Sequence, residues 1–131
     1  MGIHKFTTAM GMKLENVLLE KSKKFAIRIV GLYKYLTQNP DVSKREFVLS
    51  KQILKSGTSI GANARESRRA QSTADFISKL SIAEKEADET TYWLELLYAT
   101  DYINQEIYDS LYADCEELIK LLASIIKTIS K

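Results

Sequence analysis

Five cationic side chains are spaced so that they would share one face of a single helix. At 100° per residue they fall within about 80° of one another, and on a continuous helix they would span roughly 35 Å. A ridge of that length can follow a phosphate backbone, whereas no aromatic residue is predicted to interleave with it for base stacking. We therefore predict a nucleic-acid-binding face; a solvated outer surface, or pairing with acids of a second copy, fits the same pattern. The five residues are Lys44, Lys51, Lys55, Arg65 and Arg69.

Side chains that usually carry catalysis or bind metal ions are sparse. The chain has one histidine, His4, and one cysteine, Cys115, which falls on the predicted inner face of a helix. A di-iron bundle needs Glu-x-x-His motifs that project inward, and the predicted helices contain no histidine. No glycine-rich phosphate loop joins a strand to a helix. We predict that the protein is not an enzyme and holds no metal or cofactor.

Carboxylates are frequent in the second half of the chain but do not form a catalytic pair. At 100° per residue, the acids of residues 84–89 scatter around the circumference of one helix. Glu84 lies nearest the predicted core, and Glu66 ends a run of small residues. We expect one of these two carboxylates to be half-buried, in a structural pair with an arginine such as Arg28 or Arg68.

Length and charge set the class of protein. A chain of 131 residues is long enough for one domain with its own core. The lone cysteine allows no internal disulfide, and no apolar run is long enough to span a membrane, so we predict a soluble, cytoplasmic protein with no membrane partner. The net charge of +2 is uneven, because residues 1–42 carry +4, residues 43–72 carry +5 and residues 73–131 carry −7. The basic and acidic parts can meet when copies assemble, or the basic part can face a polyanion.

The first two helices are predicted from apolar spacing. Residues 1–13 lack periodicity and are predicted to form a flexible arm, followed by a bundle domain over residues 14–131. Helix 1 is predicted over residues 14–36, and helix 2 is predicted to begin with a capping box of Ser43 and Glu46. Gly57 and Gly61 lie inside helix 2, where each glycine costs about 1 kcal/mol relative to alanine. We interpret them as a site of close helix packing, or alternatively of ligand contact.

The last two helices have the most regular pattern. Ser72 and Asp75 form a second predicted cap, and apolar or small residues follow at alternating spacings of four and three. Asn104 is predicted to cap helix 4 after a turn. Helix 3 also carries apolar residues away from its core stripe, which predicts an interface between copies. The predicted interface residues are Tyr92, Trp93 and Leu96.

Three segments carry a resemblance to a known family. They are residues 56–66 (SGTSIGANARE), 74–83 (ADFISKLSIA) and 89–97 (ETTYWLELL). They resemble the bacterial four-helix-bundle family named for proteins encoded in intervening sequences of 23S ribosomal RNA genes, although Lys55 stands where the family usually has arginine. The resemblance implies an all-α, up-down antiparallel four-helix bundle that assembles into a ring of five subunits. It also implies similarity to the accessory protein of diversity-generating retroelements, a basic pentameric barrel that binds nucleic acid and a reverse transcriptase. It brings no catalytic residues.

Two functions are compatible with these features. The first is a non-enzymatic oligomeric scaffold that binds RNA, DNA or an RNA–protein complex through its basic face. The second is an adaptor that holds a protein partner and contacts no nucleic acid.

Overall fold

Residues 9–130 are described in the computed structural model, and they form an all-helical bundle. The four α-helices of this part of the chain are α1 (Ala9–Thr37), α2 (Leu49–Ser67), α3 (Thr73–Ala99) and α4 (Gln105–Ile129), with a short 3-10 turn at Val42–Lys44. Each helix packs against its neighbours in the chain, and α1 also packs against α4, which closes the bundle. The predicted fold class is therefore confirmed at the level of one chain.

Contacts between helices show that neighbours run in opposite directions. Along α1, Lys21 contacts Glu117 whereas the later residue Arg28 contacts the earlier residue Asp114. The same reversal relates α2 to α3, where Thr90 bonds Ser56 and Lys79 bonds Glu66. The bundle is up-down and antiparallel, as its short connections require.

The predicted core stripes of all four helices point inward. On α1 and α3, every residue assigned to the stripe is buried. On α2 and α4 the stripes are also buried, except that Leu49, Ile107 and Ile129 at the helix ends are only partly covered. Apolar burial of this extent is the main favourable term in folding the domain. The stripes of α1 and α3 are Leu18, Phe25, Ile29, Leu32, Leu36, Phe76, Leu80, Ala83, Ala87, Thr90, Leu94 and Leu97.

The first two helices begin elsewhere than predicted. Helix α1 starts at Ala9, so residues 9–13 are helical and not part of an arm; residues 1–8 of the predicted arm, with His4, lie outside the described residues. Helix α2 starts at Leu49, six residues after the predicted cap. Ser43 instead donates from its backbone N–H and its hydroxyl to Asp41 Oδ1, at 3.0 and 2.7 Å. These hydrogen bonds lower the pKa of Asp41.

Glu46 caps the start of α2. Its carboxylate accepts from the backbone N–H groups of Val48, Leu49 and Ser50, at 2.9, 2.8 and 2.6 Å. Those groups have no partner inside the helix, and a negative charge is favourable there. The predicted capping box is wrong because Glu46 caps the helix from outside.

The predicted caps of the last two helices are confirmed. Ser72 Oγ accepts from Asp75 N–H at 3.0 Å, and Asn104 Oδ1 accepts from Ile107 N–H at 2.8 Å. Between them, Asp101 has a φ of 67°, and Tyr102 N–H donates to Leu97 O at 2.9 Å. This left-handed residue ends α3 in a Schellman turn and directs the chain into α4.

The two glycines of α2 allow close contact with α1. A Cβ atom at Gly57 would lie 2.8 and 2.9 Å from Ile29 Cγ1 and Cγ2. At Gly61 it would lie 3.3 Å from the backbone oxygen of Ser22. The interpretation of these glycines as a close packing site is therefore confirmed.

Candidate nucleic-acid interface

Three of the predicted phosphate-binding cations lie on the outer face of α2. Lys51, Lys55 and Arg65 are exposed, whereas Ile53 and Ile60 on the opposite side are fully buried. Because α2 is amphipathic with this polarity, the fold holds the three cations towards solvent. From Lys51 to Arg65 the helix axis advances about 21 Å.

The other two predicted cations are not on α2. Lys44 lies in the 3-10 turn before the helix, and Arg69 lies in the turn after its last residue, Ser67. The prediction of one straight helical ridge is wrong, because Glu46 delays the start of α2 and the helix ends before Arg69. Both side chains are nevertheless exposed, one beyond each end of α2. The five predicted cations therefore divide into three on the outer face of α2 and one in each flanking turn. We call these five residues the basic surface of α2.

An exposed aromatic residue lies between two of the predicted cations in the sequence. Phe47, between Lys44 and Lys51 in the sequence, is 53% exposed and lies in the segment between the 3-10 turn and α2. An exposed ring beside cations is the arrangement on which unpaired bases stack.

The ion pairs among the described residues do not involve the three cations of α2. Within residues 9–130, ion pairs join Lys21 to Glu117, Lys24 to Glu20, Arg28 to Asp114 and Lys79 to Glu66. None of these pairs includes a predicted phosphate-binding residue. The described carboxylates thus leave the outer face of α2 with its positive charge.

The expected buried acid–arginine pair is not formed at Glu66. Its carboxylate is exposed and lies 3.0 Å from Lys79 Nζ. The hydrogen bond to Glu66 raises the pKa of Lys79. Arg28, the other expected partner, contacts Asp114 at 2.6 Å and Ser110 Oγ at 2.9 Å. Glu66 and Asp114 therefore each form an ion pair between two helices at the surface.

A basic groove between α1 and α2 is a feature that sequence reasoning missed. Its volume is about 220 Å³, and its rim carries the cations Lys23, Arg65 and Arg68. The signal in the sequence is the Gly61-Ala62 pair followed by Arg65 and Arg68, but Lys23 joins them only through tertiary packing. The remaining lining residues are Leu19, Ser22, Ala26, Thr58, Gly61 and Ala62.

The predicted oligomer-interface residues form a partly exposed cluster on α3. Tyr92 is 53% exposed, and its ring lies 5.1 Å from that of Trp93. Trp93 packs partly on the core and donates from Nε1 to Glu89 Oε2 at 3.1 Å. Leu96 is half-buried. The cluster offers an aromatic surface next to the core.

The cysteine has the environment of a core residue. Cys115 is buried and donates from Sγ to the backbone oxygen of Ala87 at 3.2 Å. Burial raises the pKa of its thiol to about 12. The thiolate needed for nucleophilic attack is therefore suppressed, and Cys115 fills space as predicted.

The described helices contain neither a metal-binding cluster nor a membrane span. Across residues 9–130, no group of three or more His, Cys, Asp and Glu side chains is placed to hold a metal ion. No helix in the same range is long and apolar enough to cross a membrane.

These features define a four-helix bundle with one basic helix face. The family model of the 23S rRNA-intervening sequence protein matches residues 15–124. The chain belongs to that family, as its sequence motifs predicted.

A solved structure agrees with this assignment. The chain is similar to a protein with unknown function from the S23 ribosomal protein family of Bacteroides thetaiotaomicron VPI-5482, whose crystal structure was determined at 1.70 Å resolution. The two are 60% identical, the match covers 87% of this chain and 98% of that chain, and the TM-score is 0.81. No curated protein matches the chain.

Proposed function

We propose that the protein is a cytoplasmic, non-enzymatic, oligomeric scaffold that binds RNA, or an RNA–protein complex, through the basic surface of α2. The observation that carries this proposal is the outer face of α2, where Lys51, Lys55 and Arg65 are exposed and take part in none of the ion pairs among the described residues. Cations held towards solvent on a rigid helix neutralise phosphates and release their counterions, which favours binding.

The distribution of charge supports the proposal. Residues 43–72 carry +5 although the whole chain carries only +2. A local positive field steers a polyanion to one face of a protein whose total charge is small. Exposed Phe47 adds a ring on which an unpaired base can stack, so we expect single strands to bind better than duplexes.

Oligomerisation would strengthen this binding. The aromatic cluster of α3 gives a second copy an apolar surface, and a head-to-tail contact that closes makes a ring, for which five subunits are proposed. A ring would present several basic surfaces to one nucleic acid, and linked surfaces bind more tightly than single ones.

Fluorescence anisotropy with a labelled single-stranded RNA tests the proposal. We expect the logarithm of the binding constant to fall with the logarithm of salt concentration, with a slope of about −3.5 for five neutralised phosphates. The triple variant Lys51→Glu/Lys55→Glu/Arg65→Glu should lose binding. The matched variant Lys85→Glu/Lys120→Glu/Lys127→Glu changes the net charge equally but alters exposed lysines of α3 and α4, so it should keep most of the binding. Binding that is absent or independent of salt would reject the proposal.

An adaptor for a protein partner is the second candidate. It is favoured by apolar side chains on the outer side of α1, because Ile27, Val30 and Tyr35 are exposed. Affinity capture from a nuclease-treated lysate separates the two functions. A partner that remains after nuclease and is lost with Ile27→Asp would favour the adaptor, whereas a partner that nuclease removes favours the scaffold for RNA.

A further inference from the structure

Helix α1 carries an exposed apolar stripe on the side opposite its core residues. Ile27 is 62% exposed and Tyr35 is 50% exposed, whereas Ile29, on the core side of the same helix, is fully buried. Val30 and Gly31 are also exposed. At 100° per residue Val30, Gly31 and Tyr35 lie within about 80° of Ile27. Contiguous exposed apolar residues of this kind mark an interaction surface, and we call these four residues the outer face of α1.

Gly31 lies in the middle of the outer face of α1, and the described part of the chain gives no packing reason for a glycine there. A Cβ atom at this position would meet nothing within 4 Å, unlike a Cβ atom at Gly57. An interior glycine costs a helix about 1 kcal/mol relative to alanine. Because glycine has no side chain, it lets a second surface approach the α1 backbone closely from the solvent side.

Two hollows of the surface meet at Gly31 and Tyr35, which line both of them. The hollow towards α4 has a volume of about 240 Å³, and its walls include the apolar side chains of Leu32, Ile107 and Leu111. The hollow towards the end of α1 has a volume of about 350 Å³. An aromatic side chain that enters a pocket with apolar walls is a typical anchor of a protein interface.

The aromatic cluster of α3 is flanked by charges opposite to those that flank the outer face of α1. Within about 80° of Ile27, residues 20–35 carry three lysines and one glutamate, which gives +2. Within the same angle of Tyr92, residues 85–99 carry three acids and one lysine, which gives −2. Opposite charges around two apolar surfaces attract the surfaces and favour their pairing. The flanking charges are Glu20, Lys23, Lys24 and Lys34 on α1, and Lys85, Asp88, Glu89 and Glu95 on α3.

The two surfaces lie on different sides of the bundle, so that one copy can use both at the same time. Helices α1 and α3 each pack against α2 and α4, which places α1 and α3 at diagonal corners. Neither surface includes Lys51, Lys55 or Arg65, the cations on the outer face of α2. A contact between the two surfaces therefore leaves those cations available to RNA.

We propose that the outer face of α1 receives the aromatic cluster of α3 from a second copy of the chain, with the ring of Tyr92 in the hollow beside Gly31. The contact joins two different surfaces and is therefore heterologous. This inference rests on the oligomeric state in the proposed function and is independent of RNA binding. It names the surface that the cluster of α3 contacts.

Two variants that each lose one surface test the pairing. Ile27→Asp removes the surface of α1 and Tyr92→Asp removes that of α3, because each places a charge in an apolar contact. Each variant alone should sediment as a monomer at micromolar concentration. An equimolar mixture should form a dimer with one copy of each variant, and nothing larger, since one intact pair of surfaces remains. Ser124→Asp, at an exposed position of α4, should keep the wild-type assembly.

Charge reversal tests the pairing without changing the apolar contact. Lys23→Glu/Lys34→Glu should weaken assembly about tenfold, and Asp88→Lys/Glu95→Lys should do the same, because like charges then face each other. All four changes in one chain should restore assembly, since the flanking charges are opposite again. A quadruple variant as weak as either double variant would contradict the pairing of these two surfaces.

The outcomes separate this inference from the proposed function. Circular dichroism first establishes that each variant is folded. If Ile27→Asp assembles as the wild type does, or if the mixture with Tyr92→Asp stays monomeric, this contact is overturned and the oligomeric scaffold stands. If the wild type is itself a monomer, the oligomer and this contact are both rejected, whereas RNA binding by the basic surface of α2 can still be measured on the monomer.

Discussion

Gly57 is the position where one missing methyl group decides how closely α1 and α2 approach. A Cβ atom there would lie 2.8 and 2.9 Å from the branch atoms of Ile29, which is fully buried. Gly31 is different, because it is exposed and a Cβ there would meet nothing within 4 Å. We therefore expect alanine to have opposite effects on the free energy of unfolding at positions 57 and 31.

We expect Gly57→Ala to destabilise the protein and Gly31→Ala to stabilise it. Alanine gains about 1 kcal/mol of helix propensity at both positions. At position 57 an overpacking cost of about 1–3 kcal/mol opposes that gain. Urea unfolding followed by circular dichroism measures both changes. A stabilised Gly57→Ala protein would show that α1 and α2 are not in contact there.

Cys115 is expected to be unreactive in the folded protein. With a pKa of about 12, its thiolate fraction at pH 9 is about one thousandth. Alkylation by iodoacetamide should therefore be slow in buffer and complete in denaturant. Because the folded chain holds the thiol proton to higher pH than the unfolded chain, this group contributes stability below about pH 8.5 that is lost as the pH rises towards 12. Cys115→Ala should remove this contribution to the loss of stability at alkaline pH. Rapid alkylation of the folded protein would contradict a buried thiol.

At the scale of the element, the entry to α2 depends on one carboxylate. Glu46 is buried, and besides capping three backbone N–H groups it donates from its own N–H to Leu36 O at 2.9 Å. The residue thus connects the end of α1 to the start of α2.

Replacing Glu46 should lower the free energy of unfolding more than replacing Ser43, the serine that resembles a helix cap in the sequence. We expect Glu46→Ala to lower the free energy of unfolding by about 2 kcal/mol, because three amides lose their acceptor. Ser43→Ala, which removes a hydroxyl from an exposed turn, should change it by less than about 0.5 kcal/mol. Thermal unfolding compares the two variants, and a larger effect of Ser43→Ala would restore the predicted capping box.

The elements were predictable to different degrees for a physical reason. In α3 and α4 the apolar spacing and a local cap, Ser72 or Asn104, agree, so both helices begin where the sequence indicates. At α2 the same kind of local pattern is present at Ser43, but Asp41 binds that serine and Glu46 caps a later residue. Competition between nearby hydrogen-bond partners is decided by geometry that spacing alone does not contain.

At the scale of the whole molecule, the candidate site was only partly predictable. The exposed face of Lys51, Lys55 and Arg65 follows from helical periodicity, because all three lie opposite the core. The groove does not, since Lys23 comes close to Arg65 and Arg68 through the packing of α1 on Gly61. Sites within one helix can be predicted from sequence, whereas sites between helices need the register of their packing.

The aromatic cluster of α3 predicts that copies of the chain assemble into an oligomer. Analytical ultracentrifugation at micromolar concentration should show an oligomer, and Tyr92→Asp should shift it towards monomer because it places a charge in an apolar contact. Ser124→Asp, which adds the same charge to an exposed position of α4, should leave the oligomer intact. A wild-type monomer would reject the proposed ring.

The seam between α1 and α4 has a consequence for how the bundle opens. It is joined by ion pairs whose side chains are about half exposed, Lys21 with Glu117 and Arg28 with Asp114, and such pairs are weak and screened by salt. The contact of α2 with α3 is made instead by buried groups such as Ser56 and Thr90. Amide hydrogens of the first and last helices should therefore exchange with solvent before those of the middle pair, and added salt should widen that gap.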